Sequence, residues 1–272
     1  MAEVDKAFVG SIPEIYATHL VPLIFEGYAD DLAERVAALR PSAVLEIAAG
    51  TGVVARALAP RLSAEAHYVV TDLNQPMLDR ARAQQPADKR VTWRQADATN
   101  LPFADASFDV VCCQFGVMFF PDRVGAYRET RRVLKPGGHF VFNVWDRIEE
   151  SPFAQLVTAA GIEVFPQDPP LFMARTPHGY HDTARIRVDL EAAGFTGIGI
   201  ETLTKTSRAP SPRHAAIAIA QGTPMRTEIE NRNASLMQKV TDRAAELIAA
   251  AYGSGAVSAP IGAHVVIAKR SA

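Results

Sequence analysis

Val44-Leu45-Glu46-Ile47-Ala48-Ala49-Gly50-Thr51-Gly52-Val53 is the stretch whose reading decides the fold. An apolar run containing one acid leads into two glycines, and a helix-like pattern follows in Val54-Ala55-Arg56-Ala57-Leu58-Ala59. A buried strand that enters a helix through a turn of small residues brings backbone very close to a ligand. A Cβ at Gly50 or Gly52 would fill the space such a ligand needs. Gly50 to Ala55 also fits the loose fingerprint G-x-G-x-x-A, a weak match alone, so the surrounding acids must identify the ligand.

Working outward, strand and helix patterns alternate. Val44–Ala48 reads as a strand, Gly52–Arg61 as a helix and Tyr68–Asp72 as a second strand ending in an acid. Asn74 as a cap and Pro76 in the first turn open a helix that runs to Gln84. Val91–Gln95 and Phe108–Gln114 read as strands, Asp122–Leu134 as a helix, Lys135-Pro136-Gly137-Gly138 as a turn and His139–Trp145 as a fifth strand. This alternation predicts a doubly wound, mainly parallel α/β sheet whose strand-end loops share one ligand-binding edge. Upstream, residues 1–12 read as a loose arm and Ile12–Leu39 as helical, with breaks at Pro13 and Pro22. Downstream, helices are expected at Ser151–Val164, Asp182–Ala193, Pro210–Ala220 and Thr227–Ala251, and strands at Gly197–Thr206 and Ala263–Lys269, which makes seven. The expected organisation is an N-terminal helical cap over 1–42, a core over 43–206 and 262–272, and an inserted helical lid over 207–261.

The 272 residues are 48% hydrophobic and 21% charged, with a formal net charge of −2, as in an ordinary globular protein. That balance argues against a broad phosphate-binding face, and hence against a nucleic-acid partner. Arg128, Arg131, Arg132 and Lys135 read as a solvated helix face with cations near its C-terminus. The two cysteines, Cys112 and Cys113, are adjacent in a strand, point to opposite faces and form no C-x-x-C motif. Such cysteine use, with no secretory segment and no apolar run near the ~20 residues that span a bilayer, predicts a cytoplasmic protein without a membrane partner. A monomer or homodimer is expected.

Three acids end successive strands: Glu46, Asp72 and Asp97. Asp72, 20 residues after Gly52, suits hydrogen bonds to both hydroxyls of a ribose, as in a nicotinamide dinucleotide site too. Asp97 discriminates, because an acid there can accept from an exocyclic adenine amine while the Ala98 N–H donates to the ring. Glu46 discriminates as well: ahead of the glycine turn it disfavours a pyrophosphate and favours a cationic or zwitterionic ligand, such as a sulfonium carrying a free amino group. Each acid alone also reads as a loop or helix cap; three in register around the turn do not.

With these residues in place, the chain resembles the class I S-adenosylmethionine-dependent methyltransferases, in the branch that includes ubiquinone/menaquinone C-methyltransferases. The resemblance rests on Val44–Gly52, Asp72 with Met77-Leu78, Gln95-Ala96-Asp97-Ala98 with Leu101-Pro102-Phe103, Ser107–Val111 and Arg132–Gly138, and covers about residues 10–146. It implies a seven-stranded Rossmann-like fold and S-adenosylmethionine as cofactor. It further implies that Ala48, Ala49, Gly50 and Gly52 approach the methionine part and that Asp72 holds the ribose. Leu73 and Met77 would pack on adenine, Asp97 and Ala98 would read its edge, and Gln114 and Gly116 would border the methyl donor. The chain departs from the family at Ala48, where glycine is usual.

Methyl transfer from a sulfonium is an in-line displacement, for which alignment and exclusion of water matter more than a dedicated base. His19, His178 and His181 are the weak candidates for a base or substrate contact, whereas His139 and His264 read as strand residues. Tyr16, Phe25, Phe119, Trp145 and Tyr180 are candidates for an apolar acceptor pocket, and a phenolic or quinone-like small molecule is slightly preferred. No metal is expected. The rival readings are a methyltransferase acting on RNA or protein, a non-catalytic S-adenosylmethionine-binding protein, and an NAD(P) oxidoreductase. The last lacks the Tyr-x-x-x-Lys pair of short-chain dehydrogenases: the residues four after Tyr127, Tyr180 and Tyr252 are Arg131, Ala184 and Ala256.

Overall fold

The computed structural model describes residues 12–271, so the arm expected over 1–12 falls, but for Ile12, outside the described residues. Seven strands form one sheet: β1 (Ala43–Glu46), β2 (His67–Asp72), β3 (Val91–Gln95), β4 (Phe108–Gln114), β5 (Leu134–Trp145), β6 (Phe195–Ala209) and β7 (Val257–Arg270). Their order is β3-β2-β1-β4-β5-β7-β6. The β1–β2, β1–β4, β2–β3 and β4–β5 pairs are parallel, and one strand of the seven is antiparallel, giving a mixed, mostly parallel Rossmann-like sheet. The order reverses direction between β1 and β4, and a doubly wound sheet opens a crevice beyond the carboxyl ends of its strands at such a point.

The helices crossing between these strands are α1 (Glu26–Ala38), ahead of β1, then α2 (Val53–Leu58), α3 (Gln75–Gln84) and α4 (Arg123–Val133). Asp122 caps α4 by accepting from the Gly125 N–H at 2.9 Å. Val44, Leu45, Val70, Val111, Cys112 and Cys113 are buried, as expected for strands covered by helices on both faces.

The chain divides into two compact units. One comprises residues 27–144, 181–203 and 263–272, and contains β1–β4, most of β5 and the helices just named. The other comprises residues up to 26, 145–180 and 204–262. It is mainly helical, built from α5 (Pro152–Val164), α7 (Pro212–Gln221), α8 (Met225–Asn233) and α9 (Met237–Tyr252), with α9 packed on α5 and α7. The intervening helix, α6 (Thr183–Ala192), belongs to the sheet unit.

Three local expectations are corrected, the first being that Lys135-Pro136-Gly137-Gly138, expected as a turn, lies within β5 as an irregularity in its pairing with β4. Pro22 does not break the N-terminal helix: Tyr16–Phe25 is a π-helical segment that passes through it. The wider turn, seen where the Glu26 N–H donates to the Val21 carbonyl, relieves the clash a proline ring makes with the carbonyl four residues earlier in an α-helix. The single helix expected over Thr227–Ala251 is interrupted at Ala234–Leu236, where the Asn233 side chain accepts from the Ser235 N–H at 3.0 Å. That is the alternative bonding through which asparagine competes with helix.

Candidate active site

The glycine turn after β1 is held in an unusual backbone. Ala48, Gly50 and Gly52 have φ of 54°, 57° and 76°, in the left-handed region. Ala48 therefore sits in a conformation that suits glycine, which gives a physical reason for the family's usual residue there. Gly52 is needed twice over, since a Cβ on it would also lie 2.9 Å from the Ala81 Cβ on α3. Gly116, after β4, is tied to Ala48: a Cβ on Gly116 would lie 2.6 Å from both the Ala48 Cβ and the Cys113 Sγ.

Asp72 ends β2 and faces the turn. Its carboxylate accepts the Gly50 N–H at 2.8 Å on one oxygen, and the Asn74 N–H at 2.8 Å and Asn74 Nδ2 at 3.4 Å on the other. Burial raises its pKa, and the amide donors of Asn74 and Gly50 partly offset that. Asn74, expected only as a helix cap, makes no side-chain cap and serves Asp72 instead. Beside it Leu73 is 44% exposed while Met77 is buried, so an apolar surface lies next to the carboxylate.

Glu46 is placed differently from the other acids. Its carboxyl is buried and accepts the Tyr68 hydroxyl, and its backbone carbonyl accepts the Thr71 hydroxyl at 2.8 Å. Burial pushes its pKa up to about 8, against the lowering effect of the Tyr68 hydrogen bond. Asp97, by contrast, is exposed and caps its own turn, accepting from the Thr99 N–H and Thr99 hydroxyl at 2.8 Å each. Ala98 is buried beside it.

At the end of β4, Phe115 has a φ of 49°. The Asn143 side chain on β5 holds this corner, accepting from the Phe115 N–H at 2.9 Å and donating to Gln114 Oε1 at 3.4 Å. Gln114 and Gly116 are both buried there.

The structure thus places Ala48, Ala49, Gly50, Gly52, Leu73 and Gly116 on the loops that follow β1, β2 and β4, Asp72 and Gln114 at the ends of β2 and β4, Met77 on α3, and Asp97 and Ala98 after β3. Three contributors escaped the sequence reading. Thr51 is buried with its hydroxyl lacking any hydrogen-bond partner, and its position between two glycines was the available signal. Asn143 was detectable as the one amide in the apolar run Phe140–Trp145. Tyr68 as the partner of Glu46 needed the β1–β2 register, in which Val44 lies opposite Tyr68.

The acceptor candidates divide. Tyr16, Phe25, Trp145 and His178 form a run of neighbouring rings in the helical unit, with centroid separations of 5.2, 5.7 and 6.2 Å along it. Tyr180 is buried in the same unit, whereas Phe119 belongs to the sheet unit. His19 does not join the rings: it stacks on His214 at 4.6 Å. His181 is exposed. His264 lies in β7 with Nδ1 2.9 Å from the Thr202 hydroxyl, and His139 lies in β5, where burial lowers its pKa. Among the described residues no group of His, Cys, Asp and Glu is arranged to hold a metal ion, and no helix is long and apolar enough to cross a membrane.

Comparison with known proteins gives this geometry a family. Residues 45–142 match the family described as methyltransferase domain. The chain is 29% identical over 174 residues to a ubiquinone/menaquinone biosynthesis C-methyltransferase of Idiomarina loihiensis, covering 59% of this chain and 69% of that protein. It is 30% identical over 171 residues to a demethylmenaquinone methyltransferase of Lactobacillus johnsonii, covering 58% of this chain and 70% of the relative. The fold is shared with a phosphoethanolamine N-methyltransferase of Haemonchus contortus solved with S-adenosylhomocysteine, with a TM-score of 0.61 and 18% identity over 99% of this chain and 60% of that one. The chain belongs to the class I S-adenosylmethionine-dependent methyltransferases, in the branch of the ubiquinone/menaquinone C-methyltransferases.

Proposed function

We propose that this methyltransferase alkylates a neutral small-molecule acceptor, with a phenolic or quinone-type ring preferred. The cofactor supplies an electrophilic methyl group on a sulfonium; the residues of the chain position, orient and exclude water. The observation that carries the reading is Asp72, whose carboxylate is fixed by the Gly50 and Asn74 N–H groups at 2.8 Å each. Held this way, it keeps an open lone-pair site for one ribose hydroxyl without spending further conformational freedom, and the long Asn74 Nδ2 bond at 3.4 Å is the one that would yield to a second.

The other residues fit the same cofactor. The unpartnered hydroxyl of buried Thr51 is a polar atom whose burial is costly unless something bonds it, and it lies within the turn assigned to the methionine end. Leu73, 44% exposed beside Asp72, offers a face for adenine with Met77 beneath it, and Asp97 with the Ala98 N–H would read the adenine edge. Ala48, Ala49, Gly50 and Gly52 bring main chain against the amino-acid part, and Gln114 and Gly116 border the methyl. Glu46 acts from within: as a buried carboxyl bonded by Tyr68 it holds β1 to β2 where the turn begins, in place of the direct charge effect that the sequence alone suggested. The acceptor class is supported by the quinone-methylating activity named for the relatives and by the rings Tyr16, Phe25 and Trp145 in the helical unit.

Calorimetric titration tests the reading. S-adenosylmethionine and S-adenosylhomocysteine are expected to bind at micromolar concentrations, while NAD(H) and NADP(H) show no heat. Methyl incorporation into a panel of phenols and hydroquinones then tests the acceptor. Incorporation into RNA or protein, with none into the small molecules, overturns that part.

A further inference from the structure

The corner that closes β4 is strained. Phe115 has a φ of 49°, a conformation that glycine or asparagine takes readily and a bulky aromatic residue does not. Such a residue persists only where its surroundings over-determine it, and outliers of this kind collect at functional sites. Here the surroundings are specific. The Phe115 N–H is shared between two oxygens of one residue, the Asn143 side-chain Oδ1 at 2.9 Å and the Asn143 main-chain carbonyl at 3.2 Å. The Phe115 ring meets Tyr28 edge-on, with centroids 5.3 Å apart and planes at 89°. The Tyr28 hydroxyl is in turn tied to the Leu203 carbonyl at 3.1 Å.

Asn143 is fully buried in β5 and lies opposite Gln114 in the β4–β5 register. A buried amide in an apolar strand is tolerated only through its hydrogen bonds. Its orientation is dictated by one of them. A backbone N–H only donates, so the side-chain atom facing Phe115 is oxygen, and the amide nitrogen is turned to Gln114, 3.4 Å from its Oε1. One buried amide thus engages both the main chain of the corner and the side chain of the residue before it. The next residue is Gly116, packed so closely that a Cβ on it would lie 2.6 Å from the Ala48 Cβ. A displacement of Phe115 therefore reaches the turn after β1.

We infer that Asn143 is a positioning residue for the sulfonium end of the cofactor: through Phe115 and Gln114 it fixes the β4 corner against the glycine turn, and so sets the discrimination between the methylated cofactor and its demethylated product. The inference rests on the proposed assignment of Gln114 and Gly116 to the methyl group. S-adenosylmethionine and S-adenosylhomocysteine differ only in that methyl and the charge it puts on sulfur. The ratio of their affinities therefore reads the surroundings of the sulfur and cancels what the adenosine and amino-acid ends contribute equally. Methyl hydrogens on a sulfonium are polarised and favour oxygen neighbours, through contacts that are individually weak and sensitive to placement. A corner that has lost its brace weakens the methylated ligand more than the product.

The test is calorimetric titration of the full chain with both ligands, in the parent, in Asn143→Leu, which removes both side-chain bonds at similar volume, and in Asn143→Asp, which keeps an oxygen for the Phe115 N–H. Asn143→Leu is expected to shift the affinity ratio about fivefold against S-adenosylmethionine, the worth of about one or two C–H···O contacts. S-adenosylhomocysteine affinity should stay within about twofold of the parent's. Asn143→Asp should not shift the ratio against S-adenosylmethionine, because the corner keeps its acceptor and any added negative charge favours the cation. Asn143→Ala carries the same expectation as Asn143→Leu should the latter lose the parent's circular dichroism. Equal weakening of both ligands in Asn143→Leu marks a merely structural role and overturns the inference, as does the same shift in Asn143→Leu and Asn143→Asp. A parent that binds neither ligand overturns the cofactor reading and this inference with it; binding of both with a ratio unmoved in Asn143→Leu overturns this inference alone.

Discussion

Asp72 and Ser151 are both buried polar residues at an element's end, and the molecule treats them in opposite ways. Asp72 takes two backbone N–H groups at 2.8 Å and a third, longer bond from a neighbouring side chain. Ser151 takes none. In the sheet unit the polar geometry is made by main chain close in sequence: a tight turn, the next strand and the cap beyond it. In the helical unit a cavity is walled by side chains from five separate stretches, around Ile24, 145–154, 173–178, 207–219 and 260–261. Main-chain construction fixes a constellation that short motifs can encode. Side-chain construction leaves the Ser151 hydroxyl without a partner in the chain.

The sharpest way to break this contrast is at Asp72. Asp72→Ala removes the proposed ribose acceptor and leaves the Gly50 and Asn74 N–H groups without their partner. A loss of about 3 kcal/mol, or roughly 100-fold in Kd for S-adenosylhomocysteine, is expected by calorimetry. An unchanged affinity would show that the main-chain-held acid does not carry cofactor binding.

The next effect concerns Glu46, whose polar geometry is made by a side chain inside the sheet unit and so cuts across the contrast. Its folded pKa of about 8 stands above the ordinary 4.5, so its proton favours the folded state. That contribution is fully present below about pH 4.5 and is lost as pH rises through about 8. Denaturant titrations between about pH 5 and about pH 8.5 should show stability falling on this account by a few kcal/mol, at about 1.4 kcal/mol per pH unit at most. Glu46→Gln, which keeps an acceptor for Tyr68, should flatten that slope. A slope identical to the parent's would refute the assignment of the proton to Glu46.

A smaller effect probes how tightly the glycine turn is packed. Gly116→Ala puts a Cβ 2.6 Å from the Ala48 Cβ and should cost about 1–3 kcal/mol in thermal or chemical unfolding. Adding Ala48→Gly should restore part of it, because one of the two clashing atoms is then gone; strict additivity of the two changes would mean that the contact is not shared. The smallest effect is Ala48→Gly alone. Relief of φ 54° outweighs the added freedom of the unfolded chain, so a gain of about 0.5–1 kcal/mol is expected.

Residues 43–145 were largely legible in the sequence, save that Lys135-Pro136-Gly137-Gly138, expected as a turn, lies within β5. β3 and β4 fall on the expected residues, the expected strand at Tyr68–Asp72 gains only His67, and Asp72 lies beside the glycine turn. The reason is local: period-2 and helical patterns, a cap and two glycines each encode their own neighbourhood. What the sequence could not express depended on distance in the chain. It could not show that Glu46 is bonded by Tyr68 across β1 and β2, that Gly116 must lack a Cβ because Ala48 has one, or that Asn143 braces Phe115. Nor could it show that Pro22 lies within a π-helical turn, since only hydrogen-bond geometry distinguishes that from a break. The helical unit lies furthest beyond its reach, because Ser151, His178 and Trp145 acquire a shared cavity only through side-chain packing, and packing has no period to read. The sequence by itself determined the strand-and-turn frame and the cofactor that frame serves. The tertiary structure alone decided which buried polar atoms are satisfied within the chain and which are not, because their partners lie far away in sequence.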